Sequence, residues 1–209
     1  MKKIVIVGSG GFAKEVFTVI KDNNLEHKFF SFSEPDKIYN KFKPKNILGK
    51  KIVPYSKLNP KEHLLIISIA NSKIRDNIVN KELSKEFEYF TLISKRAYLG
   101  SNINLGTGSI IMPFSYLTND ITIGKHSQIN NNSNVGHDSH VGDFFTTAAG
   151  VRVSGNVEIG NHVYFGNNSS TKQNISICSN VTIGMNACVT KSILSSGVYV
   201  GVPANKINK

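Results

Sequence analysis

The chain has 209 residues, 40% of them hydrophobic, and a formal net charge of +11. That is enough chain to bury a real core in one or two domains, and no stretch approaches the roughly 20 apolar residues of a membrane span. The apolar run at 4–7, after Lys2 and Lys3, is too short for a signal peptide, so we expect a cytoplasmic protein with no membrane partner.

The charge is unevenly spread. Residues 1–96 hold 19 Lys and Arg against 10 Asp and Glu, whereas residues 97–209 hold 6 against 4. A nucleic-acid partner would call for clustered Arg with aromatics or a recognition motif. The excess here is mostly scattered lysine (Lys41, Lys43, Lys45, Lys50, Lys51), which reads as solvated surface that helps attract phosphorylated small molecules. No nucleic acid is expected.

The first element is "KKIVIVGSGGFAKEVFTVIKDN", an apolar strand, a glycine turn and an amphipathic helix with Val16, Val19 and Ile20 on one side. Gly8, Gly10 and Ala13 fit the G-x-G-x-x-G/A fingerprint, in which backbone N–H groups at a helix start receive phosphate. A glycine turn that merely packs helix on strand stays open as the other reading. "HKFFSFS" and "HLLIISIA" read as further strands and "NSKIRDNIVNKEL" as a helix. Together they predict a small Rossmann-like α/β unit of three or four strands with room for one nucleotide. A full dinucleotide fold needs two βαβαβ halves, which disfavours NAD. "FTLISKRAYLG" leads into the second region, and we place the domains at 1–96 and 97–209.

From Ala97 the chain divides into 16 hexads without an insertion, from AYLGSN and INLGTG to VTIGMN and ACVTKS. The third position is bulky and apolar in 14 of the 16, with Thr147 and Thr171 the exceptions, while the first is Ala, Ser, Ile, Val or Phe145. First and third side chains of a short strand share a face, so both are predicted inward. Gly, Asn and Asp crowd the last three positions, where a sharp bend favours residues that tolerate positive φ. A hexad cannot bury its apolar face alone, so successive ones must stack into a solenoid, and a period of six predicts a parallel β-helix.

"SNVGHDSHVGDF", residues 133–144, then gains meaning. His137 and Asp138 are fifth and sixth in their hexad, on a corner and outside the core. An imidazole there is open to a substrate and titrates near neutral pH; a plain polar corner is the other reading. His140, at a second position, points outward as surface. His126 and His162 share the sixth position two coils apart, but a metal centre needs three convergent ligands, which these histidines and His137 could supply only across subunits. No metal is expected. Cys178 and Cys188 form neither a disulfide framework nor a paired metal motif and read as packing residues.

A short nucleotide-binding-like unit followed by such a solenoid resembles the hexapeptide-repeat sugar O-/N-acetyltransferases, which include sialic acid O-acetyltransferases and nucleotide-4-amino-sugar N-acetyltransferases. The residues that carry the resemblance are Gly8-Ser9-Gly10-Gly11, Asn130, His137 with its following acid, Ser154-Gly155-Asn156-Val157 and Gly201-Val202-Pro203-Ala204. It implies an α/β unit followed by a left-handed parallel β-helix, three hexads to a triangular coil, assembled as a C3 homotrimer with clefts between neighbours.

It further implies an enzyme that moves acetyl from acetyl-CoA to the 4-amino group of a UDP- or dTDP-linked deoxy amino sugar for surface glycans. Sugar O-acetylation and a non-catalytic sugar-nucleotide-binding solenoid are the alternatives. In this family the histidine is the general base, and Asp138 would orient and stabilise it as the aspartate of a hydrolase triad does. Gly155, 18 residues or one coil after His137, would offer its N–H to the thioester, with Gly201, Pro203 and Ala204 also on the CoA. Gly8, Gly10, Gly11, Ser33, Glu34, Asn71 and Asn130 are the expected contacts to the nucleotide sugar, Asn130 from across a subunit boundary. The resemblance departs at Phe12 and Thr146, where relatives often carry histidine, at Gly136, where some carry Glu, and at Ser33-Glu34, where an acidic pair is common.

Overall fold

A computed structural model describes residues 1–42, 46–83 and 85–207. The chain forms two compact units, Met1–Ser94 and Lys95–Lys209. Among the described residues no helix is long and apolar enough to cross a membrane. Lys41 and Lys51 are exposed and Lys50 half-buried, with Lys50 paired to Glu26 at 2.8 Å; Lys43 and Lys45 lie outside the described residues.

The first unit is built on β1 (Lys3–Val7), β2 (Phe29–Glu34), β3 (Asn46–Ile47), β4 (Lys50–Pro54), β5 (His63–Ile67) and β6 (Glu88–Tyr89), in the order β3-β4-β2-β1-β5-β6. All pairs are parallel except β3 with β4. The sheet thus has six strands instead of the three or four expected. The added ones left little trace in the sequence. β3 and β4 are a hairpin around Leu48-Gly49, both at positive φ, and such a turn is normally announced by Asn-Gly or Asp-Gly. β6 has only two residues.

Helix α1 (Gly11–Asp22) buries Ala13, Val16, Phe17, Val19 and Ile20, and Phe17 meets Phe29 and Phe32 at centroid distances of 4.7 and 5.6 Å. A second cluster joins Val5, Val7, Leu65 and Ile67 to Ile78, Leu83 and Phe87. Helix α2 (Asp36–Phe42) follows β2, and α3 (Ser72–Asn77), continued by a π-helical turn Ile78–Glu82, follows β5. The helix expected over this segment is therefore present but underwound in its second half.

The second unit is a left-handed parallel β-helix. Each hexad supplies a short strand, and strands 18 residues apart pair in register, as Tyr116 with Asn134 and Asn134 with Arg152. The third-position residues from Ile111 to Val189 are buried, as are the first-position residues from Ser109 to Ala187. The buried first-position serines link coils: Ser109, Ser115, Ser127 and Ser133 donate through Oγ to carbonyls 15 residues on, at 3.0–3.4 Å. A hydroxyl that would be costly in an apolar core is thereby satisfied.

Three kinds of corner alternate: a first (118–120, 136–138, 154–156), a second (124–126, 142–144, 160–162) and a third (130–132, 148–150). Positive φ is confined to the sixth position of the hexad, and Phe114, His126, Phe144 and His162 adopt it alongside the asparagines and aspartates. The fourth-position glycines answer a different demand from the tolerance of positive φ that their place in the bend suggested. A methyl group on Gly160 would lie 2.5 Å from Ser179 Oγ in the next coil, and one on Gly136 would lie 2.5 Å from Gly155 N. These glycines let coils approach.

Candidate active site and nucleotide crevice

At the second corner, side chains close the fifth-position N–H groups. Lys125 N donates to Asp143 Oδ1 (2.7 Å), Asp143 N to Asn161 Oδ1 (2.8 Å) and Asn161 N to Ser179 Oγ (2.9 Å). The first corner begins the same ladder, with Ser101 N donating to Asn119 Oδ1 at 2.8 Å. It then stops. The next two residues of the column are His137 and Gly155, and among the described residues no side chain accepts from the backbone N–H of Asn119, His137 or Gly155.

His137 uses its side chain otherwise. Its Nδ1 lies 2.7 Å from Asp138 Oδ2; an ionised carboxylate only accepts, so Nδ1 carries the hydrogen and Nε2 is left as the basic nitrogen. Asp138 sits at φ 58°, a bend that turns its side chain back toward the ring beside it. Both side chains are open to solvent, 63% and 61% exposed. The ring occupies the space that a side chain on residue 155 would fill: a methyl on Gly155 would stand 2.6 Å from Nε2 and 2.7 Å from Cε1. The backbone ties the two coils, Asn156 N donating to His137 O at 2.7 Å. The exposed Nε2 therefore stands beside the buried Gly155 backbone at one corner, where a proton acceptor and an N–H donor lie next to each other.

The remaining predicted residues lie elsewhere. Gly201 O accepts from Cys188 N (3.0 Å), and Ala204 N donates to Cys188 O (2.8 Å). Pro203 is exposed on the same turn. This places the tail against the strand three coils beyond Asn134, about 14 Å along the axis at the spacing of paired strands. Asn130 is on the third corner, its Oδ1 accepting from Asn131 N at 2.8 Å; within one chain it does not meet His137. Thr146 is buried. A side chain on Gly136 would strike Gly155 N, so this backbone has no room for the Glu of some relatives.

His140 is exposed on its strand. His126 and His162 sandwich Phe144 at centroid distances of 5.4 and 5.1 Å, a stack on a different corner from His137. Among the described residues no three His, Cys, Asp or Glu side chains converge as a metal site.

In the first unit the strand order reverses direction at β1, so a ligand crevice is expected outside the carboxyl ends of β1 and β5. Gly8, at φ +104°, closes the turn after β1, and a methyl there would lie 3.0 Å from Ser68 Oγ. Gly10 and Gly11 have nothing within 4 Å of where a Cβ would stand, leaving open surface in front of α1. Gly8 N donates to Ser33 O at 2.8 Å, and Ser33, buried, donates through Oγ to Val53 O at 3.0 Å. Ser33 is thus a brace under the crevice. Glu34, half-buried, accepts from Ser9 Oγ at 2.5 Å. Asn71 caps α3, its Oδ1 accepting from Lys73 N and Ile74 N, both at 3.1 Å. For Ser9, part of the glycine motif, the sequence suggests no contact of its own, because it stands at a variable place in the fingerprint.

Residues 3–82 match the PglD N-terminal domain family. Over 86 residues the chain is 31% identical to the GDP-perosamine N-acetyltransferase of Escherichia coli O157:H7, a match covering 41% of this chain and 39% of that relative's length. Among solved structures it is similar to WeeI from Acinetobacter baumannii AYE, at 27% identity and a TM-score of 0.88, covering 99% of this chain and 100% of that one. PerB from Caulobacter crescentus, solved with CoA and GDP-perosamine, superposes with a TM-score of 0.88 at 20% identity, covering 100% and 98%. Along its length the chain thus shares the two-part fold of WeeI and PerB, and over 86 residues it is similar in sequence to a sugar N-acetyltransferase.

Proposed function

We propose that this protein is an acetyl-CoA-dependent N-acetyltransferase acting on the 4-amino group of a nucleotide-linked deoxy amino sugar, in the cytoplasm, toward surface glycans. The observation that supports the reading best is the shared corner of His137 and Gly155. The similarity to a GDP-perosamine N-acetyltransferase favours nitrogen over oxygen as the acceptor atom and adds GDP to the UDP and dTDP that the resemblance suggests.

In this reading the acceptor amine attacks the thioester carbonyl of acetyl-CoA directly. His137 Nε2 takes the amine proton as the C–N bond forms, and Asp138, bonded to Nδ1, stabilises the imidazolium. The Gly155 N–H, which no side chain closes, supplies a donor to the carbonyl oxygen as it gains charge. The C–S bond then breaks, and the proton held on Nε2 passes to the departing thiolate. Neither cysteine takes part. Gly201, Pro203 and Ala204 would contact the CoA further along the solenoid. In the first unit Gly8, Gly10, Gly11, Ser33, Glu34 and Asn71 would shape the nucleotide site, with Ser33 acting through the Gly8 backbone. Asn130 would reach the acceptor from a neighbouring subunit of a C3 trimer.

Thiol release from acetyl-CoA, followed with UDP-, dTDP- and GDP-linked 4-amino sugars and with sialic acid, tests the proposal. Turnover is expected with one of the nucleotide sugars, and His137→Ala should lower kcat about 10²- to 10⁴-fold with the oligomer intact. Asp138→Asn should cost less, because the base remains. Normal turnover by His137→Ala, or acetylation of sialic acid alone, would overturn it.

A further inference from the structure

Arg75 is completely buried, and its position is unexpected. In "NSKIRDNIVNKEL" Ile74 and Ile78 stand one helical turn apart, yet Ile74 is 50% exposed and the arginine lies inside. Its Nη1 donates to the carbonyls of Ile69 (2.6 Å) and Ala70 (3.1 Å). Burial pushes the guanidinium down from its usual value to about 9, which still leaves it charged at neutral pH. An ion kept out of water at such cost needs a compensating set of hydrogen bonds. Here backbone carbonyls of one loop supply part of that set.

That loop, 68–71, is one lip of the crevice at the ends of β1 and β5; the glycine turn is the other. The lips are fastened together. Ser68 donates to Val7 O through both N (2.9 Å) and Oγ (2.8 Å), and Gly8 leaves no room for a side chain between itself and Ser68 and Ile69. Because a trans peptide unit is planar, drawing the Ala70 carbonyl inward turns the Asn71 N–H the opposite way. Asn71 is exposed. Arg75 thus sets, from behind, which backbone groups the lip presents.

We propose that Arg75 is a positioning residue for the nucleotide end of the substrate: without touching ligand, it holds the Ile69 and Ala70 carbonyls so that loop 68–71 keeps its ligand-facing conformation. This rests on the nucleotide-sugar reading of the crevice. Met would fill the space without donating, whereas Lys keeps a charge but not the planar fork of Arg.

The test is titration of UDP, dTDP and GDP into the full-length wild type, Arg75→Lys and Arg75→Met, together with steady-state kinetics on the accepted sugar nucleotide. Losing charged hydrogen bonds predicts an increase of about 10- to 100-fold in Kd for the nucleoside diphosphate and in KM for the sugar nucleotide in Arg75→Met. The KM for acetyl-CoA and kcat should stay within about twofold, since the His137 corner is untouched. Arg75→Lys should recover part of the affinity and supplies the reading if Arg75→Met does not fold. Equal nucleotide affinity in wild type and folded variants would overturn the inference alone. A proportional loss of kcat and of both KM terms would reduce Arg75 to a general structural role and overturn it too. Wild type that binds none of the three nucleotides would remove the nucleotide reading, and this inference with it.

Discussion

Two corners of one solenoid, cut from the same six-residue repeat, differ in how they treat the backbone. At the second corner Asp143, Asn161 and Ser179 each accept from the fifth-position N–H of the preceding coil, and fourth-position glycines make room for those oxygens. The His126–Phe144–His162 stack lines the same edge. At the first corner the ladder starts at Ser101 and Asn119 and then gives way to His137 and Gly155. The histidine turns to Asp138, and the glycine has no side chain to offer. In a repeat structure, the place where the repeat's own hydrogen-bonding device is omitted is where backbone donors are available to something else.

Four substitutions sharpen or break this comparison. The largest effect should come from Gly124→Ala at the second corner, whose new methyl would sit 2.5 Å from both Asp143 N and Asp143 Oδ1; backbone cannot yield cheaply, so a loss of about 3 kcal/mol is expected in denaturant unfolding. Unchanged stability would show that coil spacing is looser than the ladder requires. Gly155→Ala at the first corner meets instead a solvent-exposed side-chain ring. It should leave the melting temperature nearly unaltered yet lower kcat about 10²-fold, equivalent to about 2.7 kcal/mol of barrier. If it unfolds the protein as Gly124→Ala does, the two corners are not different in kind.

Asp143→Ala removes one rung and strands the Lys125 N–H, which should cost about 1 kcal/mol by thermal melting, with kcat unaffected. The smallest effect belongs to Asn156→Gly, since glycine accepts the positive φ of that position (52°) without strain. It breaks the exposed Asn156–Asn174 contact of 2.8 Å next to Gly155, worth about 0.5 kcal/mol in the same assay. A large kcat loss from Asn156→Gly would mean that the first corner's sixth position also serves the reaction.

The solenoid was legible because its information is local. Every sixth residue faces the same surroundings, so inward positions and the corner holding His137 followed from counting, and the 18-residue offset to Gly155 from the resemblance's three hexads per coil. The pattern did not reveal that positive φ belongs to one corner position only. Glycine serves close approach as well as unusual φ, and composition cannot separate the two. In the first unit β1, β2, β5 and α1 were readable, whereas the β3–β4 hairpin and the two-residue β6 were not. The roles of Ser9 and Arg75 were not legible for a common reason: they act through partners 25 and 5–6 residues away respectively, Glu34 and the carbonyls of 69 and 70.

The amino-acid order by itself thus determined a six-residue winding, an α/β unit before it and an imidazole on an outer edge, because nearest-neighbour rules repeat along the chain and need no knowledge of what lies far off. Tertiary structure alone decided that the His137 ring fills the place of the missing Gly155 side chain. It also decided that the ladder closing the second corner lapses there, and that an arginine instead of an isoleucine turns inward beside the crevice. Those outcomes depend on which groups from distant segments compete for the same few ångströms, and such competition is settled only when the chain is packed.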